Sequence, residues 1–280
     1  MARDAAKRAY YLMLAATPDP VARRLYYLRW VGLRRPRTLS EKLVYYKLFV
    51  RDQTMPPHVD KIEAKKLVES KLGKEWIIPT LYAGEHLPPV NERTWPVPFV
   101  IKASHRSGAT ILVKDDIDWS SVEKQCEAWT ASLYEYGLSQ YEWVYTQLKP
   151  RILIEEYVGE TQPPPDFKFF VINGHAIIIQ VDSDRFTAHT RSFFDRDFQP
   201  VTAKLLWPPI PNEVPRPPHF NQMLQAAEAL GSQWPFVRVD LYDTAAGPKF
   251  GELTFYPEAG WTRFEPKTVD EELGRLWQRW

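Results

Sequence analysis

The sequence predicts an α+β fold of more than one subdomain, and three observations carry that expectation. At 280 residues the chain is long for one hydrophobic core, so two or three smaller units are expected. Before Trp76 the apolar residues recur at helical spacing. After it extended runs dominate, and four of them read as two hairpins. These are Asp166–Asn173 with His175–Asp182, joined through Asn173-Gly174, and Phe236–Tyr242 with Lys249–Phe255, joined through the turn residues DTAAGP.

Taken in order, residues 1–38 are basic. Arg3, Lys7, Arg8, Arg23, Arg24, Arg29, Arg34, Arg35 and Arg37 face only Asp4 and Asp19, with Tyr10, Tyr11, Tyr26, Tyr27 and Trp30 interleaved. The stretch reads either as a solvated helical face whose aromatics pack on the body, or as a contact for an anionic membrane or acidic glycan. Leu39–Arg51 is a helix with Ser40 as its expected N-cap and with Leu43, Tyr46 and Phe49 at helical spacing. His58–Leu72 is a second helix, stopped by Gly73, and Trp76–Leu81 reads as a strand.

Pro98–Ser104 and Ile111–Lys114 are strands around the tight polar loop His105–Thr110 (HRSGAT). Such a loop can fold its amides over phosphates, with Lys102 placed to neutralise one of them. It is not a Walker loop, because no GK[ST] is present and a strand follows. Ser120–Gly137 is helical by pattern. Arg151–Val158 is an apolar strand ending in Glu155 and Glu156, and the proline-rich stretch Gly159–Pro165 follows. Gln222–Ala229 is an amphipathic helix, Glu258–Arg263 a loop, and Val269–Trp277 a last helix.

Composition narrows the function. A formal net charge of +1 argues against a dedicated nucleic-acid binder. The single cysteine, Cys126, excludes an internal disulfide framework and a cysteine metal site, so a reducing, cytoplasmic setting is expected. No apolar run approaches the roughly 20 residues that span a bilayer. The apolar stretch YYLMLAA is too short for a signal-peptide core.

The second hairpin carries the chemistry. Period-2 alternation puts Arg238 and Asp240 on one face of its first strand, and Glu252 and Thr254 on one face of its second. Two carboxylates brought together repel unless a cation lies between them, and hard oxygen ligands suit Mg²⁺. The plainer alternative is the solvated face of an edge hairpin. Likewise Lys102 could be a strand-edge solubiliser, Asp166 a turn residue, and Glu155 and Glu156 partners of surface arginines.

The segments Ser40–Lys42, FVIKASHRSG, ILIEEYV, DFKFFVINGHAIIIQVDSDRF and PFVRVDLYD with FGELTFYPEAG occur in an informative order. Together they resemble the ATP-grasp superfamily, and within it the TupA-like group of bacterial polysaccharide loci, over most of Leu39–Leu276. The resemblance implies two α+β subdomains clamping ATP: residues 1–75 as a helical N-terminal region, 76–157 as the smaller subdomain and 158–280 as the C-terminal one. It implies Lys102 on the ATP phosphates, covered by His105–Thr110 with Ser107 and Gly108. Glu155, Glu156, Tyr157 and Val158 would form the adenine hinge, and Asp166 would hold the ribose. Lys168 and Arg185 would lie near the transferred phosphate, Arg238 would stabilise the oxyanion, and Asp240 and Glu252 would bridge Mg²⁺. Thr254 stands where relatives usually carry Asn.

The implied activity is an ATP-dependent carboxylate–amine ligase of cell-envelope or capsular polysaccharide synthesis. It would join a small or glycan-linked carboxylate to an amine acceptor through an acyl-phosphate. Homodimerisation and a position at the inner face of the membrane are further expectations. A kinase-like transferase or glycosyltransferase is the alternative. Against the latter, Asp182-Ser183-Asp184 has the D-x-D letters but follows the Asn-Gly hairpin. A non-catalytic nucleotide-binding module is disfavoured by the joint presence of Arg238, Asp240 and Glu252.

Overall fold

The computed structural model describes residues 19–32, 34–115, 117–131, 140–159, 164–183 and 188–278. Among the described residues four helices come first: α1 (Asp19–Trp30), α2 (Leu39–Phe49), the single turn α3 (Pro56–Val59) and α4 (Ala64–Leu72). Strands β1 (Thr80–Gly84), β2 (Phe99–Ala103), β3 (Thr110–Val113) and β4 (Ile152–Glu156) form an antiparallel sheet in the order β1-β4-β2-β3. Helix α5 (Trp119–Thr130) adds Val122, Cys126 and Trp129 to this sheet's core.

The larger sheet holds β5 (Asp166–Ile172), β6 (His175–Ser183), β7 (Thr190–Phe194), β8 (Pro200–Val201), β9 (Phe236–Thr244) and β10 (Gly247–Thr254). Its order is β10-β9-β5-β6-β7-β8, antiparallel throughout. Asn173 and Gly174 both have positive φ (51° and 85°), as a tight hairpin twisted with its strands requires. Helix α6 (Phe220–Gly231) packs Phe220, Met223, Ala227 and Leu230 into the core shared with Phe169, Val239 and Leu241. Leu39, Leu43 and Tyr46 of α2 belong to that same core, so the early helices brace the larger sheet. In α1, Tyr26 and Tyr27 are buried while Arg24 and Arg29 are exposed. The basic and aromatic residues before Asp19 lie outside the described residues.

Several local expectations are corrected. Ser40 is not the N-cap of α2. Thr38 is, in a reciprocal capping box with Glu41. Ser40 instead donates its amide (2.9 Å) and hydroxyl (3.0 Å) to Asp270 of α7 (Lys267–Leu276). The helix expected over His58–Leu72 is broken at Asp60, whose extended backbone separates α3 from α4. The Asp60 carboxylate then accepts the amides of Ile62 (2.8 Å) and Glu63 (3.1 Å), a role that suits a short acidic side chain. The strand expected at Trp76 begins only at Thr80, after a helical turn at Lys74–Trp76. The loop expected over Glu258–Arg263 is entered through a short helical turn, Pro257–Gly260, in which Glu258, Ala259 and Gly260 all have positive φ.

Helices α2 and α7 meet closely. Lys42 is buried and donates to the carbonyls of Gly274 (2.8 Å) and Trp277 (2.6 Å), meeting the unpaired acceptors of a helix C-terminus. At Gly274 an added methyl would lie 2.1 Å from the Arg37 carbonyl oxygen. Gly274→Ala should therefore destabilise the fold by about 1–3 kcal/mol, as overpacking against backbone does. An unchanged urea midpoint would show that α7 does not seat this way.

Candidate active site

The chemistry-bearing residues share one face of the larger sheet because of its register. Directly opposed residues of antiparallel strands point the same way. Lys168 lies opposite Asp240, Asp166 opposite Asp182, Asp240 opposite Glu252, and Arg238 opposite Thr254. A bulge places Gly251 where a side chain would meet the Asp240 carbonyl at 3.0 Å, and this brings Glu252 beside Asp240.

The result is a buried ionic network. Arg238 forks onto Asp240 with Nε–Oδ1 and Nη2–Oδ2 both at 2.7 Å, and Nη2 also donates to Thr254 at 3.1 Å. Lys168 reaches Asp240 at 2.8 Å and pairs with Asp166. Asp182, 3.8 Å from the Lys168 ammonium, is held by Arg191 at 2.6 Å. Glu252 is more open. Its oxygens lie 3.5 Å from Arg238 and 3.4 Å from Lys61.

Burial raises the Asp240 carboxyl pKa, and Arg238 and Lys168 offset this only in part. For Asp182 burial pushes the same way, but the Arg191 hydrogen bonds with the Lys168 and Arg191 charges outweigh it and hold the carboxyl far below its usual range. Burial opposes the charge of Arg238, and Asp240 more than compensates. One face thus carries carboxylates of opposite tuning. Oppositely shifted carboxylates packed together mark this face as a candidate functional site.

On the smaller sheet Lys102 donates to Glu155 at 2.7 Å, and Lys65 pairs with the same carboxylate at 2.6 Å. Burial would raise the Glu155 pKa, but the two ammonium groups lower it overall. Glu155 therefore stabilises the fold above the ordinary carboxylate range, and that stability is lost as the pH falls through it. Glu155→Gln should flatten the loss of stability measured by urea titration between pH 6 and pH 3. An unchanged slope would show that the pair adds nothing.

Lys61 ties the two sheets together. Its ammonium reaches the Arg106 carbonyl at 3.0 Å as well as Glu252, and its amide donates to Ser104 at 3.1 Å. In the loop, Ser107 and Gly108 are exposed, and Gly108 has φ +72° with open space around it. His105, expected among the phosphate-covering residues, is instead fully buried with Nε2 3.0 Å from the Trp129 carbonyl, and burial lowers its pKa. Glu156 is exposed at the end of β4, and Tyr157 and Val158 are half-buried. Arg185 lies outside the described residues.

Lys61, Lys65 and Arg191 were not singled out by sequence, whereas Glu258 opens the Glu258–Arg263 loop expected to help build the acceptor site. The two lysines are four residues apart in DKIEAKK, but nothing separates them there from an ordinary solvated helix face. Arg191 becomes visible only through the register that sets β7 against β6.

Among the described residues no group of three or more His, Cys, Asp or Glu side chains is placed to hold a metal. Asp240 and Glu252 nonetheless present hard oxygens side by side, and their charge is met by Arg238, Lys168 and Lys61. That donor set fits Mg²⁺ if the cation exchanges with one of those groups.

Residues 41–278 match the TupA-like ATP-grasp family. The chain belongs to that family. Enzymes with the ATP-grasp fold use ATP with Mg²⁺. No curated relative matches the sequence. Among solved structures, the chain is similar to an L-amino acid ligase from Bacillus licheniformis, with TM-score 0.50 and 13% identity over 87% of this chain and 56% of that one. It is also similar to a D-alanine–D-alanine ligase from Bacillus anthracis complexed with ATP, with TM-score 0.42 and 15% identity over 71% of this chain and 54% of that one. A third is the ATP-grasp ligase PsnB with Mg and ADP, with TM-score 0.38 and 12% identity over 70% of this chain and 50% of that one. The TupA-like chain thus spans about half the length of these ligases, and it shares the α+β fold of the L-amino acid ligase. No helix among its described residues is long and apolar enough to cross a membrane.

Proposed function

We propose that this TupA-like protein is an ATP-dependent carboxylate–amine ligase releasing ADP and phosphate, acting in cell-envelope or capsular polysaccharide or peptide synthesis. The observation that supports it most is the Lys168–Asp240–Arg238 network with Glu252 beside it, linked by Lys61 to the loop after β2. A ligase must hold two anions together, a carboxylate and the ATP phosphates, and three converging cations offset their repulsion. Bound Mg-ATP supplies the phosphoryl group that activates the carboxylate as an acyl-phosphate. Lys102 and Lys65 would bind its phosphates, Asp240 and Glu252 the metal, and Arg238 the oxygen that becomes negative when the amine attacks. Ser107 and Gly108, exposed at the loop tip, would cover the phosphates and keep water out. The polysaccharide setting rests on the resemblance to the TupA-like group of bacterial polysaccharide loci.

Incubation with Mg-ATP and a panel of carboxylates and amines tests the reading. ADP with free phosphate is expected, whereas ADP with a phosphorylated acceptor would make the protein a kinase. ATP should bind better than GTP, because exchanging donor and acceptor at the 6-position leaves buried polar groups at Glu155–Val158 unpaired. Equal thermal stabilisation by Mg-ATP and Mg-GTP would remove the hinge assignment.

A further inference from the structure

We propose that helix α1 docks the protein on an anionic phospholipid surface, with the outer face of the helix lying in the headgroup layer. One face of α1 is taken up by the body. Tyr26 packs on Tyr141 and Trp261 with ring centroids 4.7 and 4.8 Å apart. Tyr27 meets Tyr45 and Phe49 at 5.9 and 5.4 Å. Arg23 ties the same side to the Leu48 carbonyl at 3.3 Å. These contacts fix which way the helix is turned.

The opposite face is apolar as well. At about 100° per residue, Val21, Leu25 and Leu28 fall within a stripe about 60° wide, turned away from Tyr26 and Tyr27. Val21 is 51% exposed and Leu25 53%, and Leu28 is half-buried. Arg24 and Arg29, both exposed, flank the stripe on its two sides. A solvated helix face carries polar residues where these three stand. An apolar stripe edged by arginines is the pattern of a helix lying in a membrane interface.

Charge selects the lipid. Exposed Arg263 donates to the Trp30 carbonyl at 3.2 Å, which adds a cation at the C-terminal end of α1, and exposed Arg35 follows shortly after. Arg34 and Arg37 contribute less, because buried Glu41 pairs with the first and Glu271 acts on the second. Within α1 the only acidic residue is Asp19, at its start. The whole chain carries 36 Lys and Arg against 35 Asp and Glu, and its first 37 residues carry nine against two, so the rest is net acidic by six. An anionic surface therefore attracts this end and repels the remainder, which orients the docked protein. An acidic glycan would also meet the arginines but would leave Val21, Leu25 and Leu28 in water. The stripe decides for a bilayer, whether or not the protein is a ligase.

The test is flotation of the full chain with vesicles of mixed phosphatidylglycerol and phosphatidylcholine, beside vesicles of phosphatidylcholine alone. Binding is expected to the mixed vesicles only. Val21→Ser with Leu25→Ser removes most of the stripe at constant charge and should weaken that binding about tenfold or more. Equal binding of the wild type to both vesicle types, or binding to neither, would overturn the proposal however the variant behaves. So would undiminished binding by the folded double variant, which would reduce the contact to charge alone. Polygalacturonate bound more tightly than the mixed vesicles, and equally by wild type and variant, would make the partner an acidic glycan instead.

Discussion

Glu252→Gln should lose on the order of 10³-fold in turnover while melting like the wild type. Its side chain is 31% exposed, so solvent screens its ion pairs with Arg238 and Lys61 at 3.5 and 3.4 Å. Asp240→Asn should lose as much turnover and also destabilise the protein. Asp240 is buried between Arg238 and Lys168, and its removal as a charge leaves buried Arg238 without its main partner and Lys168 with Asp166 as its remaining close one. The pair of variants separates metal binding from packing. Wild-type turnover in Glu252→Gln at saturating Mg²⁺ would end the assignment of a metal to this hairpin.

Arg238→Ala should combine slow turnover with a lower melting temperature. An arginine acting only on a developing oxyanion would lose about 10²–10³-fold in rate and leave the fold intact. Here the guanidinium forks onto buried Asp240, so its deletion strands a carboxylate whose pKa burial already raises. Breaking a buried pair from one side costs about 3–5 kcal/mol. Arg238→Lys keeps the charge without the planar fork and should fall between. Melting temperature, ATP affinity and turnover are read on the same samples. A melting temperature equal to wild type in Arg238→Ala would show that the fork is not structural, and an unchanged rate would remove its catalytic role.

Much of this architecture was legible from local chemistry. Asn173-Gly174 announced its hairpin because few other pairs tolerate two positive φ angles. Period-2 alternation sufficed to put Arg238 with Asp240 and Glu252 with Thr254 on common faces. What stayed hidden depends on distant partners. Ser40 and Thr38 are both good caps by type; Glu41, three residues after Thr38, completes its capping box, while Asp270, 230 residues from Ser40, engages Ser40 instead. Asp60 looked like one more polar residue of a helix until Ser104 and Arg151 were found on its carboxylate. His105 sits in a polar loop, yet α5 buries it. The sharing of Glu155 by Lys65 and Lys102 likewise needs the early helices docked against the smaller sheet.

The junction of α2 with α7 bears on how the chain is made in the cell. Lys42 is synthesised 232 residues before the Gly274 carbonyl that receives it. At about 5–20 residues per second a ribosome needs roughly 12–46 seconds to cover that distance. Once α2 clears the tunnel, and for the rest of that interval, its ammonium and the Ser40 amide face water. The start of the α-helical region is therefore among the last parts to reach its final state. A nascent chain stalled before Lys267 should be cut by protease within Leu39–Phe49, and one released after Leu276 should resist.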